Sequence, residues 1–258
     1  MSRNYWFEAG DSLVHAFLSQ PDSALRLIRP AVVGRAILNA TNGSASLDIV
    51  DVGGGHARQA LWFARQGHSV VIIDPDERML KSAEKSISME PEEVRSRIEL
   101  ILAAGEDSFA VLNRKFDILL CHSVISYLSN PVPLLKNFPK LLRENGFVSV
   151  LSPNPKSQAM RSGLQRKWVD AIKYIVDQGH RSDEYAPDCG WSLDDISNFL
   201  FSEGLHLAEV QGVGVFSDHL VGNISAEEAS ALCELEWLAG KTDPYRQVAR
   251  CFHGIFKR

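Results

Sequence analysis

The stretch from Leu47 to Asp74, LDIVDVGGGHARQALWFARQGHSVVIID, decides the fold. An apolar run that ends at Asp51 predicts a strand, and a second apolar run that ends at Asp74 predicts another. Between them lie a glycine turn at positions 53–55 and an amphipathic segment that predicts a helix ending at Gly67. Strand, turn, helix and strand form the unit that builds a parallel sheet through a right-handed crossover.

The turn suits a ligand that carries a ribose. Glycines let the backbone approach a ligand closely, and the following helix N-terminus supplies free amides. Asp74, which closes the second strand, can accept hydrogen bonds from both ribose hydroxyls. It follows Asp51 by 74 − 51 = 23 positions, close to the roughly 20 residues expected for such an acid. We therefore predict a ribonucleoside-bearing cofactor, and the alternative is a turn with a purely structural role.

Glycine spacing separates two classes of cofactor. A dinucleotide-binding turn needs Gly-x-Gly-x-x-Gly, whose third glycine permits close packing of helix on strand. That third position is Arg58 here, which disfavours a nicotinamide oxidoreductase. The alternative pattern, Asp-x-Gly-x-Gly-x-Gly, resembles the first motif of class I S-adenosylmethionine-dependent methyltransferases, and it reads DVGGGHA with Ala57 in the last glycine place. The motif residues expected to contact the cofactor are Asp51, Gly53, Gly54 and Gly55.

Composition is that of an ordinary soluble globular protein, with 45% hydrophobic and 23% charged residues in a chain of 258. We expect no secretory signal and no membrane span, and hence a cytoplasmic protein. The net charge of −5 argues mildly against a broad nucleic-acid footprint, because phosphate binding usually needs a basic surplus. The four cysteines form no Cys-x-x-Cys pair and the histidines are dispersed, so we predict no metal.

The whole chain reads as one α/β domain, a Rossmann-like class I methyltransferase. We expect a seven-stranded, mostly parallel sheet with an antiparallel last strand. Residues 1–45 should form an N-terminal helical cover, 46–155 the cofactor-binding core, 156–190 a helical lid insertion, and 191–258 the C-terminal completion of the sheet. Within the lid, one amphipathic helix is predicted from Gln158 to Asp177. In the cofactor-binding core, a helix is predicted to start at Asn130 and to end at Asn145-Gly146.

Three loci outside the glycine turn are candidates for the site. His122 follows the fourth strand, and three alternatives stay open for it: a cofactor contact, a general base, or a satisfied buried histidine. The loop at Gly105-Glu106 should meet the adenine, unless it is a plain surface turn. Arg26, on a predicted N-terminal helix, is either a solvated helix charge or a partner of the cofactor's carboxylate.

The chain also resembles, more narrowly, the bacterial tRNA 5-carboxymethoxyuridine methyltransferases, which esterify the carboxylate of a modified wobble uridine. The resemblance rests on stretches such as DVGGG from Asp51, FDILLCHSV from Phe116, GVGVFSDHL from Gly212 and CELE from Cys233. It departs where the family has a lysine-rich run, since this chain has DQGHRSDEY from Asp177, and where Gly214 replaces an arginine. The residues that the resemblance implies as S-adenosylmethionine contacts are Arg26, Gly53, Gly54, Asp74, Gly105, Glu106 and His122.

We therefore predict an S-adenosylmethionine-dependent methyltransferase that acts on an oxygen or nitrogen of a small metabolite, in natural-product biosynthesis for example. The alternatives are a tRNA wobble-uridine methyltransferase and a non-catalytic cofactor-binding module. A carboxylate acceptor would need no general base, whereas a hydroxyl or amine would use one, with His122 as the candidate. The oligomeric state is left open. The residues expected to contact the acceptor are Tyr127, Arg161, Tyr185, Tyr245 and Arg250.

Overall fold

The computed structural model describes residues 4–18, 24–43, 46–176, 182–183, 186–187, 191–220 and 222–258. The helices are α1 Tyr5–Glu8, α2 Gly10–Leu18, α3 Ala24–Ala40, α4 Arg58–Arg65, α5 Glu77–Ser88, α6 Glu92–Arg95, α7 Ser108–Leu112, α8 Val132–Leu135, α9 Phe138–Leu141, α10 Gln158–Leu164, α11 Trp168–Val176, α12 Leu193–Ser202 and α13 Ala226–Ala239. The strands are β1 Asp48–Val52, β2 Ser69–Asp74, β3 Ile98–Leu102, β4 Phe116–His122, β5 Leu142–Pro153, β6 Ser182–Asp183, β7 Ala186–Pro187, β8 His206–Val213 and β9 Cys251–Lys257.

The main sheet has seven strands in the order β3-β2-β1-β4-β5-β9-β8. Strands β1 to β5 run parallel, and β9 is antiparallel to both β5 and β8. The predicted fold class is therefore confirmed, including the antiparallel last strand. The chain leaves β1 towards β2 on one side and later returns to β4 on the other. The carboxyl ends of β1 and β4 thus border the crevice where ligands bind in open α/β sheets.

Helices cover both faces of this sheet, which explains why the central strands are continuous apolar runs rather than alternating ones. On one face α3 and α4 pack closely, because Gly34 lies where any Cβ would reach within 2.2 Å of the Trp62 ring. On the other face, buried Phe138, Leu200 and Phe256 belong to one apolar cluster. The sheet is thereby packed on both faces, and loops at its strand ends can present side chains.

The N-terminal helix α1 lies across the carboxyl ends of the strands. The indole Nε1 of Trp6 donates to Asp76 Oδ2 at 2.7 Å, just after β2. The Trp6 ring also meets Tyr127, after β4, edge to face at 5.5 Å between centroids. Asn4 pairs with Leu128 as an isolated bridge. Helix α1 therefore connects the loops that follow β2 and β4, on the side where the glycine turn lies.

The prediction of one lid helix from Gln158 to Asp177 is wrong. The chain forms α10, a turn, and then α11, because Arg166 adopts a left-handed conformation with φ of 62° that ends α10. The expected apolar side faces outwards: Trp168 is 61% and Ile175 70% exposed. Asp177, the predicted last residue of the lid helix, lies outside the described residues.

Two further element boundaries differ from expectation. The helix predicted from Asn130 to Asn145-Gly146 is instead two four-residue helices, α8 and α9, since Pro139 in the first turn of α9 lacks the amide that would continue a helix. Strand β5 begins at Leu142, and Asn145-Gly146 lie in an irregularity of its pairing with β4. Helix α3 continues through Pro30 in its interior.

Two structural features are absent from the described part of the chain. No helix there is long and apolar enough to cross a membrane. No group of three or more His, Cys, Asp or Glu side chains in those same residues is arranged to hold a metal ion.

Candidate functional site

The glycine turn lies directly against neighbouring strands and loops. Gly53, at φ of 73°, donates its amide to the Ile73 carbonyl at 2.7 Å, which ties the turn to the end of β2. A Cβ on Gly53 would come within 2.3 Å of Val124 Cγ2, and one on Gly54 within 2.8 Å of the Asp51 carboxyl. Glycine is therefore required at these two positions for space, and the result is a bare backbone surface at the switch point.

Asp74 closes β2 and faces this turn. Its Oδ2 accepts from the Gly55 amide at 2.9 Å and its Oδ1 from the Asp76 amide at 2.8 Å. An ionised carboxylate has about four acceptor positions, so about two are left for a ligand. Burial raises the pKa of Asp74 to about 6, although the two amides act to lower it. At neutral pH the group is mostly ionised and can accept from a vicinal diol.

Asp51, at the end of β1, is the second acid at the turn. Burial raises its pKa to about 7, and the neighbouring charge of Asp74 contributes to the same rise. A buried carboxylate whose ionisation is disfavoured by burial and by a neighbouring acid would be stabilised in its charged form by a cation. S-adenosylmethionine carries a cationic sulfonium and a ribose diol. The residues present therefore fit that cofactor on both counts.

The loop after β3 contributes backbone. A Cβ on Gly105 would come within 2.7 Å of both Leu134 Cδ1 and Val52 Cγ1, so this residue packs tightly between α8 and β1. Asn137 donates its side-chain amide to the Glu106 carbonyl, which fixes the loop from the opposite side. The loop thus lies next to the end of β1.

His122 ends β4 and belongs to a chain of three side chains across the sheet. Its Nε2 lies 2.8 Å from Ser149 Oγ, and the same oxygen lies 2.7 Å from His253 Nε2. Burial lowers the pKa of His122 well below its ordinary value, and His253 and Arg29 add to this effect. Burial likewise lowers the pKa of His253 to about 3. His122 is therefore neutral at physiological pH, with one ring nitrogen already engaged by Ser149.

Arg29 lies on α3 one turn after Arg26, and sequence reasoning missed it. Its Nη2 atom donates to Ser123 Oγ at 2.7 Å, directly after β4. Its charge also acts on His122, His253 and Tyr127, lowering the pKa of each, although burial raises the pKa of Tyr127 overall. Arg29 therefore brings a positive charge to the loop that follows β4. Arg26 lies on the same helix and is half-buried.

Arg250 lies just before β9 and reaches the same region, since its charge also acts on Tyr127. Its Nε is 3.7 Å from Asp218 Oδ1, and its buried Nη1 has no hydrogen-bond partner among the described residues. Arg161, from α10, pairs through its Nε with the other oxygen of Asp218 at 2.9 Å. One carboxylate thus serves two arginines, and the Arg250 guanidinium retains donors for a ligand.

Of the two remaining residues predicted to contact the acceptor, Tyr245 lies within the described residues and Tyr185 does not. Tyr245 is 47% exposed, and its ring lies 6.2 Å from that of Phe216, in the loop that precedes Asp218. The structure therefore brings Tyr127, Arg161 and Arg250 towards one side of the strand ends, together with Arg29. The sequence offered a weak signal for Asp218, which lies in GVGVFSDHL, a stretch that carried the family resemblance.

Comparison with known proteins agrees with this geometry. Residues 50–150 match a family model described as a methyltransferase domain, and this range covers the glycine turn, Asp74, the Gly105 loop and His122. The chain carries a methyltransferase domain. With its methyltransferase relatives, this domain makes the chain an S-adenosylmethionine-dependent methyltransferase, and its sheet has the class I topology.

Individual relatives of this methyltransferase differ in what their names say they act on. The tRNA 5-carboxymethoxyuridine methyltransferase of Escherichia coli (strain K12) is 25% identical over 212 residues, which span 82% of this chain and 80% of the relative. The mitochondrial ubiquinone biosynthesis O-methyltransferase of Arabidopsis thaliana is 30% identical over 118 residues, 46% of this chain and 36% of the relative. These matches support the methyltransferase assignment and the resemblance seen in the sequence.

A solved structure extends the similarity of fold over nearly the whole methyltransferase. The plantazolicin methyltransferase BpumL, in complex with a triazolic desmethylPZN analog and SAH, superimposes with a TM-score of 0.60. The match covers 98% of this chain and 93% of that one at 17% identity. Such a likeness shows that both share one fold, including the segments outside residues 50–150.

Proposed function

We propose that this methyltransferase transfers the methyl group to a carboxylate oxygen of a small anionic metabolite and so forms a methyl ester. The observation that carries the proposal is the pair of arginines, Arg29 and Arg250, beside Tyr127 in the region bordered by α1 and the end of β4. Arginine guanidinium groups suit carboxylates because their planar donors match the two oxygens. Arg250 has such a donor, Nη1, unpartnered among the described residues.

The state of His122 supports an acceptor that needs no general base. A base must hold the proton that it removes, yet burial and nearby positive charge keep the imidazolium form of His122 unfavourable. A carboxylate is already ionised at neutral pH and has no proton to lose. We propose that His122 contacts the cofactor and, through its bond to Ser149, stays in one orientation.

The cofactor side is proposed to work through backbone and two acids. Bound S-adenosylmethionine supplies an electrophilic methyl on its sulfonium, so the protein's main contribution is to align the two reactants. Asp74 is proposed to accept from the ribose diol and Asp51 to offset positive charge. The remaining proposed cofactor contacts are Arg26, Gly53, Gly54, Gly55, Gly105, Glu106 and His122.

The product's chemistry tests the proposal. Small metabolites and tRNA nucleosides from cells with and without the protein are compared by mass spectrometry for compounds that gain one methylene. We expect a protein-dependent small-molecule product that mild alkali converts back to its acid, because esters hydrolyse and methyl ethers or methylamines do not. An alkali-stable product would contradict the carboxylate assignment.

Matched arginine variants connect that product to the site. Arg29→Gln and Arg250→Gln should each raise the Michaelis constant for the isolated acceptor at least about tenfold, as expected when a charged hydrogen bond worth roughly 1.5–3 kcal/mol is lost. The controls are Arg35→Gln and Arg246→Gln. Arg35 lies on the same helix as Arg29 and pairs with Glu234, and Arg246 lies near Arg250 in the chain and pairs with Asp243. The proposal fails if controls and test variants behave alike.

A second candidate is methylation of a carboxylate within tRNA. It is favoured by the match to the Escherichia coli tRNA methyltransferase across most of both chains. Three basic residues are exposed and could meet phosphates: Arg166 and Lys167 in the turn between α10 and α11, and Lys173 on α11. The same two arginines would then bind the carboxylate, and the nucleic acid would add contacts outside the crevice.

A further inference from the structure

The loop that follows β8 is held by a single buried side chain on α13. Glu236 is only 1% exposed. Its Oε2 accepts from the amides of Gly214 at 3.1 Å and Val215 at 2.9 Å, and its Oε1 from those of Phe216 at 2.8 Å and Ser217 at 2.6 Å. Four consecutive backbone donors thus converge on one carboxylate.

This arrangement leaves Glu236 no capacity for other hydrogen bonds. A carboxylate offers about four acceptor positions, and the four amides occupy that number. Charge-assisted hydrogen bonds are roughly twice as strong as neutral ones, so a buried carboxylate restrains a loop far more firmly than a neutral side chain could. The group therefore acts on its surroundings through the loop that it fixes.

The fixed loop leads directly to the acceptor side. Asp218 is the next residue, and it pairs with both Arg161 and Arg250. The carbonyl of Gly214 accepts from the Arg250 amide at 3.1 Å, and Phe216 carries the ring that meets Tyr245. Three of the residues expected at the acceptor are therefore attached to the five-residue segment 214–218, and the amides of its first four residues bind Glu236.

We propose that Glu236 is a positioning residue for the methyl acceptor, acting through the loop 214–217 to set where Asp218 holds the guanidinium of Arg250. The inference rests on the proposed acceptor site but does not depend on whether the acceptor is free or part of tRNA. It assigns to α13, a helix on the outside of the sheet, control over acceptor binding with no part in cofactor binding.

Glu236→Gln is the primary test, because glutamine keeps the shape of the side chain but offers an amino group to two of the four amides. Hydrogen exchange at 214–217 should accelerate, while the amides of β1 and β2 stay protected. The Michaelis constant for the acceptor should rise roughly 10- to 100-fold, since a displacement of about 1 Å can cost on the order of 100-fold. Affinity for S-adenosylhomocysteine, measured by calorimetry, should stay within about twofold, as for independent sites.

Glu234→Gln is the matched control. It lies two residues earlier on the same helix, is exposed, and pairs with Arg35. It should leave the exchange of the loop amides and both affinities unchanged. If Glu236→Gln loosens the loop but leaves the acceptor's Michaelis constant unchanged, Glu236 is a structural residue only and the inference is overturned, while methyl transfer itself stands.

Asp218→Asn tests the second link and does not require any change at the buried site. It keeps the four amides bound to Glu236 but removes the charge between Arg161 and Arg250. We expect protected loop amides, unchanged affinity for S-adenosylhomocysteine and a raised Michaelis constant for the acceptor. An unchanged constant in this variant would overturn the inference even if Glu236→Gln did not fold. Loss of methyl transfer in the wild-type protein would instead count against the proposed function.

Discussion

We propose that the two sides of the crevice recognise ligands by opposite means. The cofactor side, made of the loops after β1, β2 and β3, presents backbone and two buried acids, Asp51 and Asp74. The acceptor side, made of α3, α10 and the segments around β8 and β9, presents arginine side chains. A cationic methyl donor and an anionic acceptor would each meet a complementary charge. Binding them on opposite sides of the crevice brings the nucleophile towards the methyl group without either ligand competing for the other's groups.

Of the variants that test this contrast, Asp74→Ala should have the largest effect on cofactor affinity. Asp74→Ala removes the proposed ribose acceptor and leaves the amides of Gly55 and Asp76 without one. Each charged hydrogen bond is worth roughly 1.5–3 kcal/mol, so affinity for S-adenosylhomocysteine should fall at least about 100-fold in calorimetry. Asp48→Ala, at the opposite end of the sheet, is the control and should bind normally. Unchanged binding by Asp74→Ala would remove the ribose assignment.

The glycine turn provides the next test, because its role is one of space. Gly53→Ala places a Cβ within 2.3 Å of Val124 Cγ2 at a φ of 73°. Gly67→Ala is a matched control, with φ of 94° but nothing within 4 Å of the added atom. Both should lose roughly 1–2 kcal/mol from the left-handed backbone, and Gly53→Ala roughly 1–3 kcal/mol more from the clash.

Denaturant unfolding measures both variants. The double variant Gly53→Ala with Val124→Ala should recover part of the additional loss, because the clashing methyl group is removed. Equal destabilisation of Gly53→Ala and Gly67→Ala would mean that the turn moves freely away from the loop after β4, and that close packing there is not required.

The same contrast explains which parts could be predicted from the sequence. The cofactor side is encoded locally: strand, turn, helix and acid follow one another within 47–74, so periodicity and spacing placed them correctly. The acceptor side assembles Arg29, Tyr127, Asp218, Glu236 and Arg250 from distant segments. No spacing rule connects these residues, and only the completed sheet brings them together.

The prediction of a single lid helix was wrong for a related reason. Helical periodicity from Gln158 to Asp177 was interpreted as one element with its apolar side inwards. A single left-handed residue, Arg166, divides it, and the second half presents Trp168 and Ile175 to solvent. Periodicity shows that a helix has an apolar face, but not whether the fold buries that face or exposes it. The exposure of Trp168 and Ile175 could therefore be learned only from the three-dimensional structure.

The charge of the cofactor side predicts a pH dependence of donor affinity. Because burial raises the pKa of Asp51 to about 7, the acid is largely protonated below that pH in the free protein. A cationic ligand favours the ionised form, so affinity for S-adenosylmethionine should rise with pH through about 7. S-adenosylhomocysteine lacks the sulfonium charge, so its affinity should rise less with pH. The two rises should differ by up to about tenfold for each pKa unit by which the sulfonium lowers the pKa of Asp51.

Calorimetry of both ligands between about pH 6 and about pH 8 would measure this difference. Asp51→Asn cannot ionise and should make the ratio of the two affinities independent of pH. A constant ratio in the wild-type protein would show that Asp51 does not respond to the sulfonium. The proposal that an acidic cofactor side complements a cationic donor would then be wrong.

The smallest expected effect concerns the basic residues outside the crevice, and it distinguishes a free acceptor from tRNA. Arg166 and Lys167 are exposed, in the turn between α10 and α11. For a small metabolite, replacing both with glutamate should change its Michaelis constant by less than about twofold, since exposed charges at a distance are screened by salt. For tRNA, the constant should rise several-fold and activity should fall as salt increases, because phosphate contacts release counterions. The same variant thus separates the two acceptors: a salt-insensitive reaction unaffected by the charge reversal indicates that the arginine pair within the crevice is sufficient for recognition.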